Sequence, residues 1–187
     1  LSANNQRYID YLYARLQRRG KTQRDCQRMV NQNRNVFAAC MVACGHADAM
    51  VTGLTRSFGV AFEDIIRVID PKPGHRVFGM SIMVLESRAL FIADTSVHEL
   101  PSAEQLVDIV IQSAAQARAM GHEPRVALLS FSNFGNPPGE KSERIRDAVA
   151  MLDSRTVDFE YDGEMSADVA LDPGLMQRLY PFCRLSG

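Results

Sequence analysis

The sequence predicts a mixed α/β fold, a mostly parallel sheet with flanking helices, behind a helical N-terminal layer at residues 1–45. Three observations carry this. Residues 3–44 hold apolar side chains at helical spacing. From residue 46 to 187 short β-rich runs alternate with amphipathic segments, the pattern of strands joined by helices. Short polar stretches stand where those runs end, and in such sheets ligands bind outside the carboxyl ends of the strands.

Tyr8, Leu12 and Leu16 share one helical face, Gly20 ends that helix, and Thr22 is placed to cap the next. Ala49-Met50-Val51 running into Thr52-Gly53 reads as a strand followed by a loop. Phe62, Ile65, Ile66 and Ile69 fall at i, i+3, i+4 and i+7, which predicts a helix over residues 56–69 buried on that face. Asp70-Pro71-Lys72-Pro73-Gly74 breaks it. The β-rich runs 77–85 and 89–93, joined by Glu86-Ser87-Arg88, predict a hairpin. Ser102 with Gln105 forms a capping box ahead of a stripe of Leu106, Ile109, Val110, Ala114 and Ala117, a helix ending before Gly121. The continuous apolar run 126–129 is a buried strand leading into Ser130-Phe131-Ser132, then a turn-rich stretch, then a helix carrying Ile145, Val149 and Leu152.

Composition narrows the function. The chain has 187 residues, 46% hydrophobic and 23% charged, which is ordinary for a globular protein. Lys+Arg total 21 against Asp+Glu 22, for a net charge of -1, so there is no broad basic surface and nucleic acid is not an expected partner. The longest apolar runs fall well short of the roughly 20 residues that cross a bilayer, and a membrane is not expected; the simplest reading is a cytoplasmic protein. Cys26, Cys40, Cys44 and Cys183 form neither a C-x-x-C pair nor a disulfide framework and read as reduced thiols, Cys40 and Cys44 in an apolar helix. The chain opens at Leu1 without a methionine and stops at Gly187, which suggests an excised piece of a longer protein.

Several stretches suggest chemistry and also have plainer readings. No G-x-G-x-x-G follows a strand. Residues 135–142 approach a phosphate loop ending in Lys141-Ser142, but Glu140 stands where the second glycine belongs. Asp158, Glu160, Asp162 and Glu164 either gather oxygen ligands for a divalent cation or, at alternate positions, form the solvated face of a short strand, the better fit for Asp158 and Glu160. His46, His75, His98 and His122 are scattered, and no metal site is assigned. Ser130 and Ser132 either meet a phosphate or thioester oxygen or cap their own loop. Arg56 and Lys72 are candidates to face a phosphorylated ligand, Lys72 otherwise being a solvated turn residue.

Five segments in this order resemble the motif series of the phosphate acetyltransferases: residues 47–53, Lys72-Pro73-Gly74, Phe91-Ile92-Ala93-Asp94, residues 126–132 and residues 162–170. The resemblance runs from Ala47 to Leu171. The helical opening, residues 95–99 and Tyr180-Pro181-Phe182 are similar to a subgroup, the acetyltransferase-like domain fused behind bacterial NADP-dependent malic enzymes. The resemblance implies the inner lobe of an isocitrate-dehydrogenase-like fold, a cleft for coenzyme A and acetyl phosphate, and homo-oligomers. It places an acetyl-CoA or phosphate cleft at Thr52, Gly53, Thr55, Arg56, Lys72, Asp94, Thr95, Ser130, Ser132, Asn133, Asp162, Gly163 and Glu164. Two departures accompany it. Asn133-Phe134-Gly135-Asn136 replaces a small Ser/Thr-Gly-Ser pattern, and the family's catalytic Ser-Arg segment lies nearer the C-terminus than this chain reaches, so no catalytic residue is assigned. The resulting expectation is a regulatory segment sensing acetyl-CoA, an acyl-CoA or an acyl phosphate, with no cofactor of its own. An upstream malic enzyme domain in the parent would use NADP and a divalent metal, Mg or Mn. The rivals are an active phosphate acetyltransferase and a purely structural oligomerisation module.

Overall fold

A computed structural model describes residues 2–86 and 88–186. The chain divides into two compact units, Leu1–Pro71 and Lys72–Gly187. The sequence boundary near residue 45 falls inside the first.

The first unit is helical. Helix α1, Ser2–Leu16, tightens into a 3-10 turn, Gln17–Arg19, closed by Gly20 at φ 77, a left-handed position that glycine adopts without steric cost. Helix α2, Gln23–Gln32, starts from a capping box in which the Thr22 side chain accepts from the Asp25 N–H and the Asp25 side chain accepts from the Thr22 N–H. Asn33 ends α2 and caps helix α3, Arg34–Ala43, its side chain accepting from the Asn35 and Val36 N–H groups. Tyr8, Leu12 and Leu16 meet Cys26, Val30, Val36, Ala39 and Cys40 in one core, and Tyr8 packs edge-on against Phe37 with centroids 5.2 Å apart. Each fully buried side chain of this size contributes about 1.5–3 kcal/mol.

Residues 46–57 contain no strand, so Ala49-Met50-Val51 does not form the element its composition suggests. Every strand among the described residues lies in the second unit, and here no ladder partner exists to take the backbone hydrogen bonds of an extended segment. Helix α4, Phe58–Ile66, is shorter than predicted and rotated. Its fully buried positions are Ala61 and Asp64, followed by Val68; Phe62 and Ile65 are half-buried and Ile66 is exposed. A polar anchor sets this rotation, because Asn35 on α3 donates to the Asp64 carboxylate at 3.2 Å. Past α4, Tyr11 donates to the Val68 carbonyl at 2.9 Å, and Arg15 donates to the Arg67 carbonyl and pairs with Asp70, fastening the segment to α1.

The second unit begins with strands β1, Met80–Val84, and β2, Ala89–Ala93, paired antiparallel from Met80↔Ala93 to Val84↔Ala89. This is the predicted hairpin; Ser87 in its turn lies outside the described residues. Ile82, Met83, Val84 and Leu85 are exposed, Val84 to 83%. Helix α5, Ala103–Ala119, carries the predicted Ser102–Gln105 capping box and buries Val107, Ile109, Val110, Ala114 and Ala117. Strand β3, Arg125–Leu129, helix α6, Glu140–Asp153, and strand β4, Glu160–Met165, form a βαβ unit with β3 and β4 parallel. Val107, Val110, Leu128, Ala148, Val149 and Leu152 form its core. Helices α7, Ala167–Leu171, and α8, Pro173–Leu179, bring Val169 and Met176 against Met165.

The fold is therefore mixed α/β as predicted, its strands divided between one antiparallel and one parallel pair. No helix among the described residues is long and apolar enough to cross a membrane.

Candidate functional site

The polar loop at the carboxyl end of β3 is held from beneath by one buried carboxylate. On β4 the register slips between Leu128 and Leu129: Leu128 faces Gly163 and Leu129 faces Met165, so Glu164 has no opposite residue. A bulge of this kind re-aims a side chain. Glu164 is fully buried and its Oε1 gathers three donors: Ser132 Oγ at 2.9 Å, the Gly135 N–H at 2.8 Å and Arg146 Nη1 at 3.0 Å. Oε2 is buried without a hydrogen-bond partner among the described residues. The Glu164 carbonyl accepts from the Phe134 N–H at 2.8 Å, and the Met165 carbonyl from the Ser130 N–H at 2.9 Å. Ser130 and Ser132 hydroxyls lie 3.2 Å apart, linking the partly exposed Ser130 to the buried acid. Asn133 Oδ1 accepts from the Ser166 N–H at 2.8 Å and its hydroxyl at 3.1 Å, tying the loop to the start of α7.

Gly163 makes this possible. A Cβ there would stand 2.6 Å from the Leu128 carbonyl oxygen and 2.9 Å from the Leu128 Cβ, closer than atoms approach. Only glycine lets β4 come this near to β3 just before Glu164.

The alternating acidic positions thus separate. Asp158 and Glu160 are exposed as expected, Asp158 paired with Arg118 and Glu160 accepting from the Ser186 N–H and hydroxyl. Asp162 is buried and fastens the C-terminal segment, accepting from the Arg184 N–H at 2.8 Å and Nη2 at 3.3 Å. No group of three or more His, Cys, Asp or Glu among the described residues is arranged to hold a metal. In the stretch resembling a phosphate loop, Gly139 precedes α6, and the Ser142 hydroxyl donates to the Gly139 carbonyl at 2.8 Å.

Asp94 is engaged within its own loop. Its carboxylate accepts from the N–H groups of Gly79, Ser96, Val97 and His98 and from His98 Nδ1 at 2.6 Å. Burial pushes the carboxyl up, but the His98 contact and the backbone donors outweigh it and hold it below the usual aspartate value. Thr95 lies 3.3 Å from the Ser81 and Ser96 hydroxyls, and exposed Lys72 accepts through its carbonyl from the His75 N–H.

The remaining candidates belong to the first unit. Thr52 donates to Asn35 Oδ1 at 2.7 Å, Arg56 Nη1 donates to buried Asp64 Oδ2 at 3.2 Å, and the Thr55 N–H turns back to the Gly53 carbonyl at 2.8 Å.

The model of the phosphate acetyl/butaryl transferases matches residues 1–187. The chain belongs to this family. Within it, the chain is 58% identical over 180 residues to an NADP-dependent malic enzyme of Rhizobium meliloti, covering 96% of this chain and 24% of that protein. It is 50% identical over 197 residues to a probable NADP-dependent malic enzyme of Rickettsia prowazekii, covering 100% of this chain and 26% of that one. A phosphotransacetylase of Streptococcus pyogenes superposes with a TM-score of 0.82 at 28% identity, over 96% of this chain and 56% of the other. The chain therefore spans about a quarter of the length of these curated relatives.

In this member of the phosphate acetyl/butaryl transferase family, Phe134 occupies the middle of the β3 loop at φ 47. Its ring packs on Tyr180 and Phe182, with centroids 5.1 and 4.9 Å away. The sequence names Ser130, Ser132, Asn133, Gly163 and Glu164 as candidates, and the structure brings them together around the β3 loop; Arg146, Asn35 and Asp64 are not among the candidates the sequence offers. Arg146 looks like any solvent-facing helix cation; its partner is 18 positions away and visible only once β4 lies beside β3.

Proposed function

We propose that this chain is the phosphotransacetylase-like part of an NADP-dependent malic enzyme, whose full-length form oxidatively decarboxylates malate to pyruvate. In this reading it binds acetyl-CoA, or a related acyl-CoA or acyl phosphate, and reports that binding to a malate-oxidising domain elsewhere in the parent. The observation that carries the reading is the 58% identity to a malic enzyme of which this chain covers only 24%. The Ser130-to-Gly135 loop supports a binding role, because Glu164 orients Ser132 and the Gly135 N–H while Ser130 remains partly exposed at the strand end. Phe134, packed among Tyr180 and Phe182, gives this loop a bulky centre, which supports ligand binding over acyl transfer.

NADP and a Mg or Mn ion would be held by the rest of the parent. The parent would work as a cytoplasmic homo-oligomer. Coupling between two such sites typically changes affinity by roughly 5–150-fold. The test uses the full-length protein: NADPH formation from malate is followed while acetyl-CoA is titrated, alongside calorimetry. Saturable binding with a matching change in malate turnover is expected. Robust formation of acetyl-CoA from acetyl phosphate and coenzyme A would instead make the protein an acetyltransferase, and no binding at all would leave a structural module.

A further inference from the structure

We infer that Asp64 and Asn35 are positioning residues, Asp64 holding the Arg56 guanidinium and Asn35 tying Asp64 to Thr52, so that Arg56 can receive a phosphoryl group of the bound ligand. The inference rests on the proposed binding of acetyl-CoA or an acyl phosphate.

Met50 packs on the helical core, but residues 51–56 beyond it have no regular structure, and Val51 and Leu54 are fully exposed, so apolar burial does little to fix this stretch. What fixes it is polar. Thr52 Oγ1 donates to Asn35 Oδ1 at 2.7 Å, Asn35 Nδ2 donates to Asp64 Oδ2 at 3.2 Å, and the same oxygen accepts from Arg56 Nη1 at 3.2 Å. Asn35 and Asp64 are 6% and 3% exposed. Burying a carboxylate among partners is a poor source of stability, since its desolvation offsets most of the attraction. It is an effective way to fix the direction of a guanidinium.

The two arginines on Asp64 differ. Arg67 bonds two carboxylates, Glu63 at 3.0 Å and Asp64 at 3.4 Å. Arg56 uses Nη1 alone; its Nε and Nη2 have no hydrogen-bond partner among the described residues, and its side chain is 35% exposed. A planar fork with donors to spare matches the oxygens of a phosphoryl group. Acyl phosphates and the phosphate esters of coenzyme A share that chemistry.

The test is a double-mutant cycle in the full-length protein, read by calorimetry with coenzyme A, acetyl phosphate and pantetheine, which lacks the phosphates. Asp64→Asn is expected to weaken binding of coenzyme A, of acetyl phosphate or of both about tenfold, to leave pantetheine unchanged, and to cost nothing further in an Arg56→Ala background. The ligand that weakens identifies the source of the phosphoryl group. Equal losses for pantetheine and coenzyme A, or the same loss with and without Arg56, would overturn the inference in favour of a structural role. If Asp64→Asn does not fold, Arg56→Lys decides: it keeps the charge and loses the fork, so the same selective weakening is expected and unchanged affinity refutes it. Wild-type protein that binds none of the three sinks the proposed function and this inference together, whereas wild-type binding with Asp64→Asn unaffected sinks the inference alone.

Discussion

Replacing Glu164 by glutamine isolates the role of charge beneath the β3 loop, because the side chain keeps its shape. The amide oxygen can take the place of Oε1 and still face Ser132, Gly135 and Arg146, with the amide nitrogen where Oε2 has no partner among the described residues. A hydrogen bond to a charged group contributes about 1.5–3 kcal/mol and a neutral one about 0.5–1.5, so the Ser132 and Gly135 bonds each lose roughly 1 kcal/mol. The Arg146 bond keeps one charged partner and loses at most about 1 kcal/mol of ion-pair attraction. Two effects reduce the sum: the buried charge no longer has to be desolvated, and Arg146, whose side chain is 36% exposed, recovers hydration. The expected net loss is about 2 kcal/mol. For a chain of 187 residues that lowers the melting temperature by roughly 4–8 °C. Circular dichroism melts measure the total, and amide exchange locates it. The Gly135 N–H, bonded to the Glu164 side chain, should lose protection, while the Phe134 N–H, bonded to the Glu164 backbone carbonyl, should change less. An unchanged melt, or equal effects on both amides, would refute the view that the carboxylate organises this loop.

Three further outcomes follow from the structure. The depressed Asp94 carboxyl binds its proton less readily in the native state than in the unfolded chain, where aspartate titrates near about 3.9. Its stabilisation is therefore complete above that value and lost as pH falls through the lower native one. In acid titrations the amides of Gly79, Ser96, Val97 and His98 should lose protection together, and an Asp94→Asn variant with the same acid limb would contradict this. Gly163→Ala forces a Cβ to 2.6 Å from the Leu128 carbonyl, so a loss above about 3 kcal/mol or no folded protein is expected; a wild-type melt would count against the close approach. Burial, reinforced by Cys44 and Cys26, pushes the Cys40 thiol up to about 12. Iodoacetamide near neutral pH should therefore spare Cys40 until denaturant is added, and mass spectrometry showing rapid native labelling would contradict its placement.

The parts legible in the sequence are those whose signals are local. The α5 helix announces itself through Ser102, Gln105 and a regular apolar stripe; the capping box and Ile109, Val110, Ala114 and Ala117 stand as read, while Leu106 is half-buried and its neighbour Val107 takes the fully buried position. The strand and its exit at the β3 loop are equally visible in a continuous apolar run ending in hydroxyls, although the run is less buried than its composition suggests, with only Leu128 fully buried and Leu129 exposed. Around α4 the signal misled because the side chain that sets its rotation is charged. Hydrophobicity points Phe62, Ile65 and Ile66 inward, while Asn35 draws Asp64 there instead. Glu164 shared its period-two pattern with exposed Glu160, and only the slipped register and the absent Cβ of Gly163 send it beneath the loop. Ala49-Met50-Val51 has strand composition, but extended backbone needs a neighbour that composition cannot supply.

The exposed apolar run of β1 bears on how the protein behaves at high concentration. Ile82, Met83 and Val84, with Leu85 just past the strand end, form a short β-prone, uncharged stretch, and among the described residues β1 has a ladder partner on one side only. Such an edge templates intermolecular pairing, so self-association of this chain should begin there. Val84, the most exposed of the four, is the position where a single lysine would act as gatekeeper, discouraging aggregation without disturbing a buried contact.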